Sequence, residues 1–217
     1  MSFRHNQLFL QLTEPSVSNG IFTSKIPDED DLELDGSLVV DGVATFAQAR
    51  RFQLITTEDE SNSTVVISGK NRFGVDITET VTGDDLNATI YSSKLDFGEV
   101  KNVNIIGTFT GTLTIGTNGK AATEWFQLFN RISPFNIGIT IKKTGGGSYF
   151  IDVTGDTDMT ETNQDHRNIT HNDFGSAKSI NFSTRQEIPV AGLRMRYESN
   201  ISVSDKLEGD FIKPYNS

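Results

Sequence analysis

Thr64-Val65-Val66-Ile67-Ser68 is followed by Gly69-Lys70-Asn71-Arg72-Phe73-Gly74 and then by Val75-Asp76-Ile77-Thr78-Glu79-Thr80-Val81-Thr82. The first segment is β-branched and reads as a strand. The second is built of residues that tolerate sharp backbone turns. In the third, Val75, Ile77, Glu79 and Val81 recur at period two, which sets them on one face of a strand. Gly83-Asp84-Asp85 closes it. A helix would place its apolar residues three and four apart, so this stretch decides for sheet.

The same pattern extends outward in both directions. Ser37-Leu38-Val39-Val40 ends at Asp41-Gly42, a hairpin-turn dipeptide. Phe52, Leu54 and Thr56 alternate after Arg50-Arg51, and Glu58-Asp59-Glu60-Ser61-Asn62 reads as a solvated turn. Val100, Val103 and Ile105 lead to Gly107, and Phe109 to Ile115 alternates again before Gly116-Thr117-Asn118-Gly119. Phe135 to Ile141 is a further strand. Thr144-Gly145-Gly146-Gly147-Ser148 reads as a hairpin loop, with Tyr149 to Val153 as the returning strand. Ile188-Pro189-Val190 opens a last hairpin, from Leu193, Met195 and Tyr197 through a turn near Asn200 to Ile201, Val203 and the tail to Ile212.

Two segments resist this reading. Residues 155–178 are polar and exceed the usual loop length of about 12–15 residues. In Ala121 to Ile132, the residues Trp125, Phe126, Leu128, Phe129 and Ile132 fit a short helix capped by Thr123 and fit an irregular strand equally. The expected fold is therefore all-β. It has two β-sandwich-like units, 36–119 and 120–217, joined by this short segment of open type. An extended N-terminal arm, 1–35, precedes them and becomes ordered by docking on a neighbour.

Composition narrows the function. Of 217 residues, 35% are hydrophobic, below the ~45–50% of an average domain; Thr, Ser, Asn and Gln fill the difference, and 15 Phe supply a core. With 19 Lys+Arg against 29 Asp+Glu the net charge is −10, a field that repels phosphate and argues against nucleic acid as a partner. The absence of Cys excludes disulfides, thiolate metal sites and cysteine nucleophiles. No apolar run approaches the ~18 residues of a membrane helix. Leu8 to Leu12 is too short for a secretory leader, so a soluble, unprocessed chain without membrane contact is expected.

The residues that could carry chemistry do not assemble into a motif. His5 lies in the arm. His166 and His171, with Asp165 and Asp173, could ligate a metal, but their spacing has no helical logic and reads as a solvated loop. Asp31-x-Glu33-x-Asp35-Gly36 imitates the start of a calcium loop, yet its closing position holds Gly42. The acidic stretch 28–35 reads first as a solvated face and second as a weaker calcium site. Gly145-Gly146-Gly147 lacks the Lys-Ser/Thr of a phosphate loop, and Asp84-Asp85 sits in a turn. No nucleophile–base arrangement is identifiable. No catalytic, cofactor-binding or metal residue is assigned, no cofactor is expected, and the chain reads as not an enzyme. Arg194 and Arg196 alternate with Leu193, Met195 and Tyr197. They read as the outer face of a strand, pairing across it or meeting an acidic patch on a neighbouring subunit.

Five stretches carry a likeness. Ile77-Thr78-Glu79-Thr80-Val81-Thr82-Gly83, then Phe97-x-x-Val100-x-x-Val103, then Gly111-Thr112-Leu113-Thr114-Ile115-Gly116-Thr117-Asn118-Gly119 resembles a family of small β-rich structural proteins of tailed bacteriophages. Ser133-Pro134-Phe135-Asn136-Ile137-Gly138-Ile139 is similar to the start of that family's second half, and Pro189 to Met195 to its closing hairpin. The likeness spans residues 37–212 and departs from the family in the acidic N-terminal segment and in 155–178. It implies a non-enzymatic virion protein, made in the host cytoplasm, on the capsid or at the neck or tail. Its partners would be other virion proteins and copies of itself. A glycan- or receptor-binding β-sandwich of a phage tail is the alternative, with Trp125, Tyr149 and Tyr91 as candidate stacking residues.

Overall fold

The computed structural model describes residues 2–11, 14–28, 31–121, 123, 126–127, 136–154, 182–187, 192–197 and 204–215. Among these the regular structure is fifteen strands and one 3-10 turn, Gly83–Leu86, so the chain is mostly β. It divides into two compact units: Glu14–Gly119, and Met1–Thr13 together with Lys120–Ser217. Strand β1 (Ser2–Gln11) belongs to the second.

The Glu14–Gly119 unit is one large antiparallel sheet. Its strands are β2 (Phe22–Lys25), β3 (Val39–Val40), β4 (Val43–Thr56), β5 (Thr64–Lys70), β6 (Asp76–Thr82), β7 (Ile90–Ser92), β8 (Phe97–Ile106) and β9 (Leu113–Ala121). Their order is β2-β9-β4-β8-β5-β6, with β3 and β7 paired to β4 beside that path. The deciding stretch folds as its period demands. β5 and β6 pair without a break from Thr64↔Thr82 to Lys70↔Asp76, and Ile77, Glu79 and Val81 turn inward. Phe52 and Phe97 meet edge to face at 5.3 Å in the core, with Leu54, Ile67, Val103 and Ile115 fully buried around them. The Asp41-Gly42 turn links Val40 directly to Val43, with φ of 52° and 78°. These positive values are the two that a tight hairpin of this twist requires.

β5 shifts register against β8 between Ser68 and Gly69. A Cβ on Gly69 would lie 1.9 Å from the Glu99 carbonyl oxygen. Gly69→Ala is therefore expected to destabilise this unit by about 2 kcal/mol, through overpacking against backbone that cannot turn aside. A urea titration of the variant measures it, and an unchanged midpoint would contradict the close approach.

Residues 14–35, expected within an arm, enter this unit instead. Ile21, Phe22, Leu32 and Leu34 are core residues, and Leu32 N–H donates to the Val103 carbonyl at 2.9 Å. Alternation explains this: Asp31, Glu33 and Asp35 point out while Leu32 and Leu34 point in.

The other unit holds two sheets. One is ordered β1-β15-β11-β13, where β11 is Asn136–Thr144, β13 is Phe182–Glu187 and β15 is Lys206–Tyr215. The other is ordered β10-β14-β12, where β10 is Phe126–Gln127, β12 is Tyr149–Thr154 and β14 is Gly192–Tyr197. β1 pairs with β15 along its whole length, from Ser2↔Tyr215 to Gln11↔Lys206.

Two expected hairpins are corrected here. The Thr144–Ser148 loop does not return its strand beside β11; it carries the chain from the first sheet to the second, where β12 pairs with β14. Gly145 and Gly147 take φ of 85° and 77°, and Gly146 N–H donates to Asp205 Oδ1 at 2.5 Å, which fixes the crossing. Likewise β14 and β15 lie in different sheets, because β15 has β1 on one side and β11 on the other, while the expected turn near Asn200 with Ile201 and Val203 lies outside the described residues. Thr123 caps no helix. Its N–H donates to the Met195 carbonyl at 2.8 Å and its Oγ1 accepts from Met195 N–H at 3.0 Å, so it extends the pairing of β14. Trp125, Leu128, Phe129 and Ile132 lie outside the described residues, as does 155–178 with His166 and His171.

Candidate functional site

The buried ionisable groups come first, because a cleft that performs chemistry brings such groups together around open space. Here they hold backbone or one another. Glu60, in the segment read as a solvated turn, is 2% exposed. Its Oε1 accepts from Thr110 N–H at 2.8 Å, Gly111 N–H at 2.6 Å and Thr110 Oγ1 at 3.1 Å, which binds the loop before β9. Glu79 on β6 does the same for the loop after β7: Oε1 accepts from Tyr91 Oη at 2.6 Å and Lys94 N–H at 2.8 Å, and Oε2 from Leu95 N–H at 3.0 Å. Burial, together with the carboxylate of Glu79, holds the Tyr91 phenol well above its ordinary range. Arg50 is 1% exposed and donates to the Glu14 and Pro15 carbonyls, each at 3.2 Å. Burial lowers its pKa, and the Glu14 carboxylate works the other way.

Arg194 and Arg196 are not on an outer face. β14 is buried on both sides, and the two guanidiniums converge on Asp152 of β12. Arg194 Nε lies 3.0 Å and Arg196 Nε 2.9 Å from Asp152 Oδ2, and Arg196 Nη2 lies 3.3 Å from Oδ1. Register explains the meeting: Asp152 is directly opposite Arg194, and Phe150 is opposite Arg196, whose guanidinium stacks 5.0 Å above that ring. Burial pushes the Asp152 pKa up, but the two guanidinium charges and their hydrogen bonds outweigh it and hold the carboxyl below 3.8. Cross-strand pairing was legible in the alternation; the burial was not, because Asp152 lies far back in the chain.

The remaining singled-out residues stay apart. Asp31 Oδ1 accepts from the Asn104 and Asn102 amides at 3.0 and 3.3 Å. Asp35 accepts from Thr23 N–H at 2.8 Å and lies 3.2 Å from Lys25 Nζ. Among the described residues no three His, Asp or Glu gather as metal ligands, and no helix is long and apolar enough to cross a membrane. Tyr91 and Tyr149, candidate sugar platforms, are both buried.

What the large sheet does present is a block of uncharged outer positions on β6, β5 and β8, bordered by charge. Across β6, β5 and β8 the register sets Thr78, Ser68 and Asn102 in one row, Thr80, Val66 and Asn104 in the next, and Thr82, Thr64 and Ile106 in a third. All nine are exposed or half-buried, and Ser68 and Thr78 share a hydroxyl hydrogen bond of 3.1 Å. Lys70 between Asp76 and Glu99 forms a charged border at one end, and Asp31 a border beside Asn104. Ile106 stands 58% exposed in the third row. In a chain of net charge −10, nine such positions without charge form a surface that meets another protein with little desolvation of ions. No family model matches this chain, and no curated protein matches it in sequence.

Proposed function

We propose that this chain is a non-enzymatic structural protein of a tailed bacteriophage virion, held on the capsid or at the neck or tail by protein–protein contacts. The observation that carries the reading is the division of labour among polar residues. Glu60, Glu79, Arg50, Asp152, Arg194 and Arg196 are engaged in holding the sheets and loops, while nine outer positions of β6, β5 and β8 are uncharged and in register. Such a face suits repeated contacts in a lattice, where each interface is small, about 800 Å² per partner, and copy number supplies avidity. The phage resemblance gives the lattice its identity, and the acidic charge limits unwanted binding to DNA in an infected cell.

The test is incorporation. Particles purified from cells producing the chain are expected to contain it, by mass spectrometry, in fixed ratio to the shell or tail subunits. The double variant Val66→Lys with Asn104→Glu is expected to fold, by circular dichroism, and to be depleted from particles at least tenfold. A chain missing from particles, or a variant incorporated as well as the parent, refutes the reading. Tight binding to a free saccharide in place of particles would favour the receptor-binding alternative.

A further inference from the structure

In the sheet ordered β1-β15-β11-β13, β1 is a terminal strand, paired with β15 over 10 residues without a shift. By chain order β1 is not joined to that sheet. It runs through Leu12-Thr13 into the Glu14–Gly119 unit, and the rest of its own unit begins only at Lys120. The root of the arm is fixed just beyond this joint. The buried Arg50 donates to the Glu14 and Pro15 carbonyls, each at 3.2 Å. Val17 N–H donates to Thr117 Oγ1 at 3.0 Å, and Thr117 N–H donates to the Val17 carbonyl at 2.8 Å. A strand with a pinned root thus docks on a ladder that its neighbours in sequence do not supply.

What holds β1 is portable. A backbone ladder demands direction and register, not a particular chain. The side-chain contacts described on β1 are exposed ones. Gln7 Nε2 donates to Asp210 Oδ1 at 2.9 Å, and Lys206 Nζ lies 4.9 Å from the ring centre of Phe9, which is 56% exposed. Contacts of this kind hold weakly. Residues 2–11 of a second copy make the same bonds on β15, so exchange sacrifices no ladder and is opposed only by the chain's own arm. A short tether presents that arm at an effective concentration in the mM range, which copies packed side by side match. We infer that β1 is an exchangeable arm, whose partner between assembled copies is β15 of a second chain in the register Gln7↔Asp210, each of two copies giving its arm to the other. The inference rests on strand pairing and is independent of a place in a virion.

The chain contains no Cys, so introduced thiols report which chain an arm has joined. Gln7 and Asp210 stand opposite each other, and opposed Cα atoms across an antiparallel pair lie about 4.5–5.5 Å apart, within disulfide reach. Chains carrying Gln7→Cys alone and chains carrying Asp210→Cys alone are mixed unfolded, refolded together, concentrated to about 1 mM, the effective concentration of a tethered arm, and mildly oxidised. A disulfide between the two chains is expected, mapped to positions 7 and 210 by mass spectrometry. Lys206→Cys in place of Asp210→Cys keeps the thiol on the same face of β15 but moves it four residues, about 13 Å along the strand. Its yield with Gln7→Cys is expected to be about tenfold lower. One chain carrying both Gln7→Cys and Asp210→Cys is expected to oxidise to a closed monomer when dilute and to linked dimers at about 1 mM. A double variant that closes only on itself at both concentrations, or single-thiol chains that link no better in register than out of it, overturns the inference.

Discussion

Asp152→Ala is expected to be the most damaging single substitution among the described residues, lowering the stability of its unit by about 3–5 kcal/mol. Removing it leaves two guanidiniums, each less than 10% exposed, without the carboxylate on which both converge, and the loss of one partner from a buried charge cluster is costly on that scale. Asp152→Asn separates charge from shape. It keeps an oxygen for one Nε but lacks the negative charge, so it is expected to lose about half as much. Denaturant midpoints of the three proteins give the comparison. A pH series adds a signature of its own. Because the folded Asp152 pKa lies below the ordinary 3.8, its contribution is complete above about pH 4 and is lost as acidification proceeds through the lower folded value. The parent should therefore lose stability below pH 4 more steeply than Asp152→Asn. Equal slopes would show that the cluster does not hold the carboxylate ionised.

The second large effect is expected at Glu79. Glu79→Ala leaves the Tyr91 hydroxyl and the Lys94 and Leu95 amides without their acceptor in a buried place. Each buried donor left unpaired costs about 1–3 kcal/mol, and relaxation of the Ser93–Asp96 loop lets water reach some of them, so a total of about 3 kcal/mol is expected. Tyr91→Phe removes one donor and leaves the two amide bonds in place, so it is expected to lose only about 1 kcal/mol. The double variant is expected to be less damaged than the sum, since the Tyr91 bond is counted in both singles. Strict additivity in urea titrations would mean that the hydroxyl and the carboxylate do not interact.

These two anchors mark the boundary of what the sequence made legible. The β5–β6 hairpin and the Asp41-Gly42 turn were readable because their signals are local: period-two alternation in one case and a two-residue dihedral requirement in the other. Glu79 was placed on the correct face by its period, but nothing in Ile77 to Val81 announces that a carboxylate there is satisfied, because its donors come from Tyr91 to Leu95. Glu60 misled in the same way, since its partners are Thr110 and Gly111. A charge in a Gly/Asn/Ser turn is solvated by default. The sheet crossing at Gly145–Gly147 escaped for a different reason. A glycine-rich connection reads alike whether its flanking strands pair or part, and only the partners of β11 and β15 decide. The uncharged outer face was present as the Thr78, Thr80, Thr82 alternation, but its breadth depends on three strands in register.

The pairing of β1 with β15 has a temporal meaning. Residues 2–11 leave the ribosome before the strand that receives them, 206–215, which is synthesised some two hundred residues later. At about 5–20 residues per second, that is a wait of roughly 10–40 s. The intervening 14–119 segment can complete its own sheet meanwhile, since among the described residues its strands pair with one another. A nascent chain would thus carry an orphan strand ahead of a finished body. Conditions that prolong elongation should increase its capture by holdase chaperones or by the strands of other nascent copies.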